Sequence, residues 1–151
     1  MDDLVIYTDG ASSNNPGIGG CATIIVKGDK IVHTIVKGYK KTTNNRMEIM
    51  GVINALEYLK DIDCNATIYT DSQYVTDSYN RGWVYLWQEK KFAGRPNKDL
   101  WITFLKHIKP ENVKLVWIKG HNGCEFNEKC DKLATEIIKT GPLEVDKGYE
   151  K

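Results

Sequence analysis

The tetrapeptide Ile-Tyr-Thr-Asp occurs twice, at Ile6-Tyr7-Thr8-Asp9 and at Ile68-Tyr69-Thr70-Asp71. Each copy closes a short, β-branched apolar run that reads as a buried strand. Side chains alternate along a strand with a period of two, so both aspartates occupy the same phase of the pleat. If the strands lie parallel and adjacent, both carboxylates project from one face at the strand ends. Two carboxylates held that close repel each other unless a cation or a shared proton relieves them. Taken singly, each Asp reads as a turn residue or helix cap, Asp71 before Ser72-Gln73 being the better case. The repeat in matched phase points instead to a metal site.

The order of elements around the repeat predicts an α/β domain. Leu4 to Thr8 is a first strand, followed by a turn-rich connection over residues 11–20. Cys21 to Val26 and Ile31 to Val36 are strands joined through Lys27-Gly28-Asp29-Lys30, a hairpin signal that completes a three-stranded meander. From Asn44 to Leu59 the period becomes helical, with Ile49, Val52, Ile53, Leu56 and Leu59 as the apolar stripe. Glu48 sits on the edge of that stripe and faces inward, where it needs a partner. Ala66 to Thr70 is a fourth strand and Val113 to Ile118 a fifth. Helices are expected over Ser72 to Tyr79, Asp99 to Ile108 and Asn127 to Lys139. Asp131 borders the apolar face of the last helix, where a dipole-complementing anion is the simpler explanation. Residues after Gly141-Pro142 are polar and expected to fray.

A chain of 151 residues with 41% hydrophobic content can bury a real core in one domain. No run is long enough to span a membrane, and Met1-Asp2-Asp3 leads straight into a strand without a secretory or transit signal, so a cytoplasmic setting is expected. Cys21, Cys64, Cys124 and Cys130 form no Cys-x-x-Cys pair, and reduced thiols are expected. His121, Cys124 and Cys130 match no zinc spacing and lack a fourth ligand. With four acids of a candidate site set aside from the 20, the 21 basic residues outnumber the rest by five. A basic body around an acidic spot suits a polyanion held beside metal ions, although a mixed solvated surface has the same composition.

Asp9, Glu48, Asp71 and Asp131, in the order strand, helix, strand, helix, resemble the Asp-Glu-Asp-Asp set of type 1 ribonuclease H. The surrounding words are similar too: Thr8-Asp9-Gly10-Ala11 with Asn15-Pro16-Gly17, Thr42-Thr43-Asn44-Asn45-Arg46-Met47-Glu48, Thr70-Asp71-Ser72-Gln73, Lys119-Gly120-His121, and Asn127-Glu128-Lys129-Cys130-Asp131-Lys132-Leu133-Ala134. The resemblance covers about residues 3 to 140, in several long motifs in the correct order. It implies a ribonuclease H-like α/β fold: a five-stranded mixed sheet, made of a three-strand antiparallel meander plus two parallel strands, flanked by helices. Residues 1–140 would be the catalytic domain and 141–151 a flexible tail.

The resemblance also implies an endonuclease that hydrolyses the RNA strand of RNA/DNA hybrids with two magnesium ions, manganese being able to substitute, and leaves 5'-phosphate and 3'-hydroxyl ends. Asp9 would bridge the ions, Asp131 hold the one beside the attacking water, and Glu48 with Asp71 the one beside the leaving oxygen. Four carboxylates supply the hard oxygen ligands such ions take. His121 would shuttle a proton or aid product departure; a plain loop histidine is the alternative. Ser12, Asn15, Asn44, Asn45 and Gln73 suit contacts to riboses and minor-groove edges, although Asn44 also reads as an N-cap and Asn15 as a turn residue. Thr43 and Asn97, with Arg46 nearby, match the family's phosphate pocket for the DNA strand. Lys90, Lys91 and Arg95 lie in a segment that matches the family's basic protrusion, where Val84, Tyr85 and Leu86 replace basic residues of relatives. Trp83 and Trp87, four residues apart, read as helix packing. The expected partner is a hybrid duplex bound by a monomer, with no membrane. Two rivals are an actin-like phosphotransferase, which needs two such domains, and a hybrid binder without catalysis, which gains nothing from four like charges facing a phosphate backbone.

Overall fold

The computed structural model describes residues 2–120 and 124–149. Strands β1 (Asp2–Ser12), β2 (Gly17–Lys27) and β3 (Lys30–Thr42) form the expected antiparallel meander. Then follow α1 (Asn44–Leu59), β4 (Cys64–Thr70), α2 (Gln73–Asn80), α3 (Trp83–Glu89), α4 (Lys98–His107), β5 (Val113–Trp117), α5 (Glu125–Thr140) and a short β6 (Leu143–Glu144). The sheet order is β5-β4-β1-β2-β3-β6, with β4 parallel to both β1 and β5. The five expected strands are all present, and β6 corrects the count to six.

The sheet is covered on both faces, and alternation along β1 sorts the two cores. Leu4 and Ile6 point to the side of α1, α2 and α4, where they meet Ile49, Val52, Ile53, Leu56, Trp101 and Phe104. Val5 and Tyr7 point to the other side, against α5 through Cys130 and Ala134. The apolar stripe on α1 and the face on α5 are therefore the two expected for them. Trp87 packs edge-on against Trp101, as expected of a packing residue, whereas Trp83 is 41% exposed beside Arg81. His33 stacks on Tyr58 from β3, and His107 ends α4. Cys21, Cys64 and Cys130 are buried and Cys124 is half-buried, and no disulfide joins any of the four. Among the described residues, no helix is long and apolar enough to cross a membrane.

The expectation of a frayed tail is overturned. Leu143 and Glu144 pair with Gly38 and Tyr39, and Asp146 is only 3% exposed. Its carboxylate accepts hydrogen bonds from Thr42 Oγ1 (2.7 Å), Arg46 Nε (2.8 Å) and Arg46 Nη2 (2.9 Å). The tail is held because a buried guanidinium requires a buried anion, and Asp146 provides it. The described residues past 140 thus pack against the sheet as far as Tyr149.

Candidate active site

Asp9 and Asp71 come together because β1 and β4 pair in parallel and in register, Tyr7 opposite Tyr69 and Thr8 opposite Thr70. Each aspartate is the next step along its strand, so the duplicated tetrapeptide delivers two carboxylates to one place. Ser72, not Asp71, caps α2: its hydroxyl accepts from the Val75 N–H at 3.2 Å. Asp71 is thereby released from the capping role the sequence offered it. Thr43 similarly caps α1 by accepting from the Arg46 N–H at 3.2 Å, so Asn44 is the first helical residue instead of the cap.

Glu48 reaches the same place from the first turns of α1. The helix lies directly on Gly10, where an added Cβ would come within 2.6 Å of the Glu48 nitrogen, so only glycine permits this approach. The Gly10 N–H in turn donates to Asp9 Oδ1 at 2.8 Å and fixes that carboxylate. One oxygen each from Asp9, Glu48 and Asp71 lies within 4.8 Å of the other two. Asp131, on α5, stands beside Asp9 within hydrogen-bonding and electrostatic reach. Three strand- and helix-borne acids thus form the tight cluster, and the fourth closes it from the opposite face of the sheet.

The electrostatics are those of crowded, half-dry acids. Asp9 is 5% exposed, and burial followed by the Asp71 charge pushes its carboxyl up to about 8, the Gly10 N–H opposing the shift. Burial, then Asp9 and Asp71, drive Glu48 well above the ordinary carboxylate range. Glu48 Oε1 is buried with no hydrogen-bond partner among the described residues. A buried, unpartnered carboxylate oxygen facing two more carboxylates is unfavourable on its own. A hard divalent cation fits it: the donors are oxygens, without thiolate or imidazole among them.

Around the acids lies a polar lip. Asn44 Oδ1 accepts from the Ser12 N–H (2.7 Å) and Ser12 Oγ (2.9 Å), and Asn15 Oδ1 accepts from the Asn44 N–H (3.2 Å). These bonds tie the end of β1, the following turn and the start of α1 together, with Asn45 and Gln73 exposed alongside. Asn97 lies beside Arg46 of α1, in the left-handed region (φ 65°), and its amide donates to the Tyr74 hydroxyl at 3.1 Å. Lys90, Lys91 and Arg95 are exposed beyond α3, Arg95 stacking over Trp87 at 4.9 Å.

Arg46 is the residue whose expected role changes. It is 3% exposed, and its guanidinium donates to both oxygens of Asp146, both oxygens of Asp99 and, at 3.5 Å, Asn97 Oδ1. With all its N–H groups engaged, Arg46 is a strut beneath the cleft rather than a phosphate contact. Its partners Asp99 and Asp146 carry no motif that would have announced them. His121 lies outside the described residues.

The family model described as RNase H matches residues 1–139 of this chain. The ribonuclease HI of Synechocystis sp. is 41% identical, the alignment covering 99% of this chain and 96% of that protein. A ribonuclease H of Helicobacter pylori is 48% identical over 89% of this chain and 92% of its own length. Among solved structures, LC9-RNase H1, a type 1 RNase H with the type 2 active-site motif, superposes with a TM-score of 0.83 at 25% identity, covering 99% of this chain and 80% of that one. LC11-RNase H1, solved with an RNA/DNA hybrid, gives a TM-score of 0.68 at 27% identity over 91% and 97% of the two chains. A near-full-length match in sequence, the antiparallel meander with parallel strands expected of the family and an acid cluster where its motifs fall together show that this chain belongs to the type 1 ribonuclease H family.

Proposed function

We propose that this chain is an endonuclease that hydrolyses the RNA strand of RNA/DNA hybrids. The observation that carries the reading is the convergence of Asp9, Glu48 and Asp71 oxygens within 4.8 Å around the orphaned Glu48 Oε1. Asp9, Glu48, Asp71 and Asp131 would hold two magnesium ions, manganese substituting, with Asp9 shared between them. When bound, such ions supply charge neutralisation at the phosphate and a more acidic water. The chain's own work is positional. Gly10 locks Asp9, β4 and the Ser72 cap aim Asp71, and α1 lowers Glu48 onto Gly10, so the acids are preorganised before substrate arrives.

Hydrolysis adds the hydroxyl of water to phosphorus and breaks the bond from phosphorus to O3'. The proton of the water ends on the leaving 3'-oxygen, giving a 5'-phosphate and a 3'-hydroxyl. His121, retained on its motif alone, is the proton carrier for that exchange. Ser12, Asn15, Asn44, Asn45 and Gln73 face the RNA strand, where 2'-hydroxyls need hydrogen-bond partners. Thr43 and Asn97 take a DNA-strand phosphate, and Lys90, Lys91 and Arg95 add a sequence-independent grip. The protein acts as a monomer, and four cysteines that form no disulfide with one another suit a reducing, cytoplasmic setting. Labelled hybrid, RNA/RNA, DNA/DNA and single-stranded RNA incubated with magnesium test the reading. Cleavage confined to the RNA of the hybrid is expected; equal cleavage of RNA/RNA would overturn it.

A further inference from the structure

Asp9 and Asp71 end matching tetrapeptides, but the fold holds them differently. Asp9 lies inside the ladder, opposite Ala22 of β2, and its carboxylate takes the Gly10 N–H at 2.8 Å. Asp71 lies one residue past the ladder, because β4 stops pairing with both β1 and β5 at Thr70. The Ile118 N–H still reaches the Thr70 carbonyl at 2.9 Å. At Asp71 the partner is a side chain instead: the indole Nε1–H of Trp117, the last residue of β5, donates to the Asp71 carbonyl at 3.1 Å.

An indole has one polar atom, a donor, and Trp117 commits it to this carbonyl. Its ring is 43% exposed, so it adds less to the core than the fully buried Trp101, and the donor is what it contributes here. Gly120 bears on the other end of the same residue. A Cβ built at Gly120 would stand 2.8 Å from Asp71 Oδ2 and 3.5 Å from the Asp71 Cβ and Cγ. The atom met first is the tip of a side chain rather than backbone, so an added methyl would turn the carboxylate and leave the fold standing. Two residues three apart, at the end of β5 and just after it, thus fix the main chain of one acid and leave room for its carboxylate.

We propose that Trp117 and Gly120 are positioning residues for Asp71, setting where its carboxylate stands relative to Asp9 and Glu48 and thereby how tightly the site takes a divalent cation. The proposal rests on the functional reading above and adds two residues that act through Asp71 rather than on the substrate. A residue past the end of a ladder is only as well aimed as whatever holds its main chain. For Asp9 the ladder and Gly10 do this; for Asp71 the indole does, and Gly120 keeps the space its carboxylate needs.

The test measures magnesium binding to the full chain by calorimetry without substrate, and hybrid cleavage across a magnesium titration. Trp117→Phe keeps a ring and removes the donor, Gly120→Ala adds the methyl, and Trp83→Phe serves as the control at another exposed tryptophan. We expect Trp117→Phe and Gly120→Ala each to weaken magnesium binding about tenfold, the lower end of what removing a support behind a metal ligand costs. The magnesium needed for half-maximal cleavage should rise by a similar factor, while KM for the hybrid at saturating magnesium stays within about twofold. Trp83→Phe should bind magnesium as the unsubstituted protein does. Urea unfolding checks that each variant is folded. The unsubstituted protein tests the idea without any variant: in NMR the Trp117 indole N–H should exchange slowly with solvent despite its exposed ring and shift as magnesium is added. A freely exchanging indole that ignores magnesium overturns the proposal, as does a rise in KM with unchanged magnesium dependence. Unchanged magnesium binding in either variant overturns the role of that residue, while hybrid cleavage by the unsubstituted protein leaves the functional reading intact. Magnesium bound without any hybrid cleavage overturns the functional reading, and the calorimetry then decides this inference separately.

Discussion

Replacing Asp9 by Asn should stabilise the metal-free protein at neutral pH. In the unfolded chain the Asp9 carboxyl is hydrated and distant from other acids, and it ionises near the ordinary 3.8; in the fold it resists ionisation up to about 8. A carboxyl whose folded titration point is raised favours folding only at low pH. That contribution is fully present below 3.8 and is lost as pH climbs toward 8, because the unfolded chain gives up a proton that the folded chain must keep or surrender at a cost. Each pH unit above 3.8 costs about 1.4 kcal/mol, so the ceiling at pH 7 is ~4 kcal/mol, against ~1.6 kcal/mol at pH 5. The observable gain should be smaller, on the order of 1 to 3 kcal/mol, because Glu48 and Asp71 stay crowded after the substitution and share the relief. Asn retains a carbonyl oxygen for the Gly10 N–H, so that hydrogen bond survives. The assay is urea unfolding of both proteins in chelator at pH 5, 7 and 8.5, repeated with magnesium. The mutant's advantage should widen from pH 5 to pH 7 and narrow when magnesium binds the folded wild type. A mutant that is equally or less stable in chelator, or an advantage that does not change with pH, would show that the carboxylates are not electrostatically crowded as described.

Cleavage should fall by at least ~10³ in Asp9→Asn and in Asp71→Asn, and substantially less in His121→Ala, with hybrid binding retained in all three; near-wild-type turnover by Asp9→Asn would contradict its central place. Arg46→Ala should cost roughly 3 to 5 kcal/mol in urea unfolding, because it leaves the buried Asp146 carboxylate facing Asp99 without a cation, and a loss under ~1 kcal/mol would mean the strut is dispensable. Neutralising Lys90, Lys91 and Arg95 together should weaken hybrid binding for all sequences and flatten its dependence on log salt by roughly 0.7 to 0.9 for each phosphate that is no longer neutralised. An unchanged salt slope would remove that segment from the interface.

The acids were legible in the sequence because local periodicity carries them. A strand's period of two places Asp9 and Asp71 in one phase, and parallel pairing of β1 with β4 turned that phase into proximity. The 3.6-residue period of α1 turned Glu48 inward, where Gly10 makes room for it. Asp131 was readable as an edge residue of α5, but its approach to Asp9 depends on α5 crossing the far face of the sheet. Capping was open in the sequence, since Asp71 and Ser72 are both competent; the folded backbone gave the role to Ser72. The tail was not legible at all. Thr42 and Arg46 meet Asp146 across 104 and 100 residues of chain, a two-residue strand has too few positions to show a period, and an ion pair between distant segments leaves no local pattern. A motif likewise cannot tell an arginine that faces a phosphate from one whose donors are already taken. Only the tertiary structure decided that Arg46 holds the tail, because burial and hydrogen-bond saturation are properties of the packed chain, not of any segment of it.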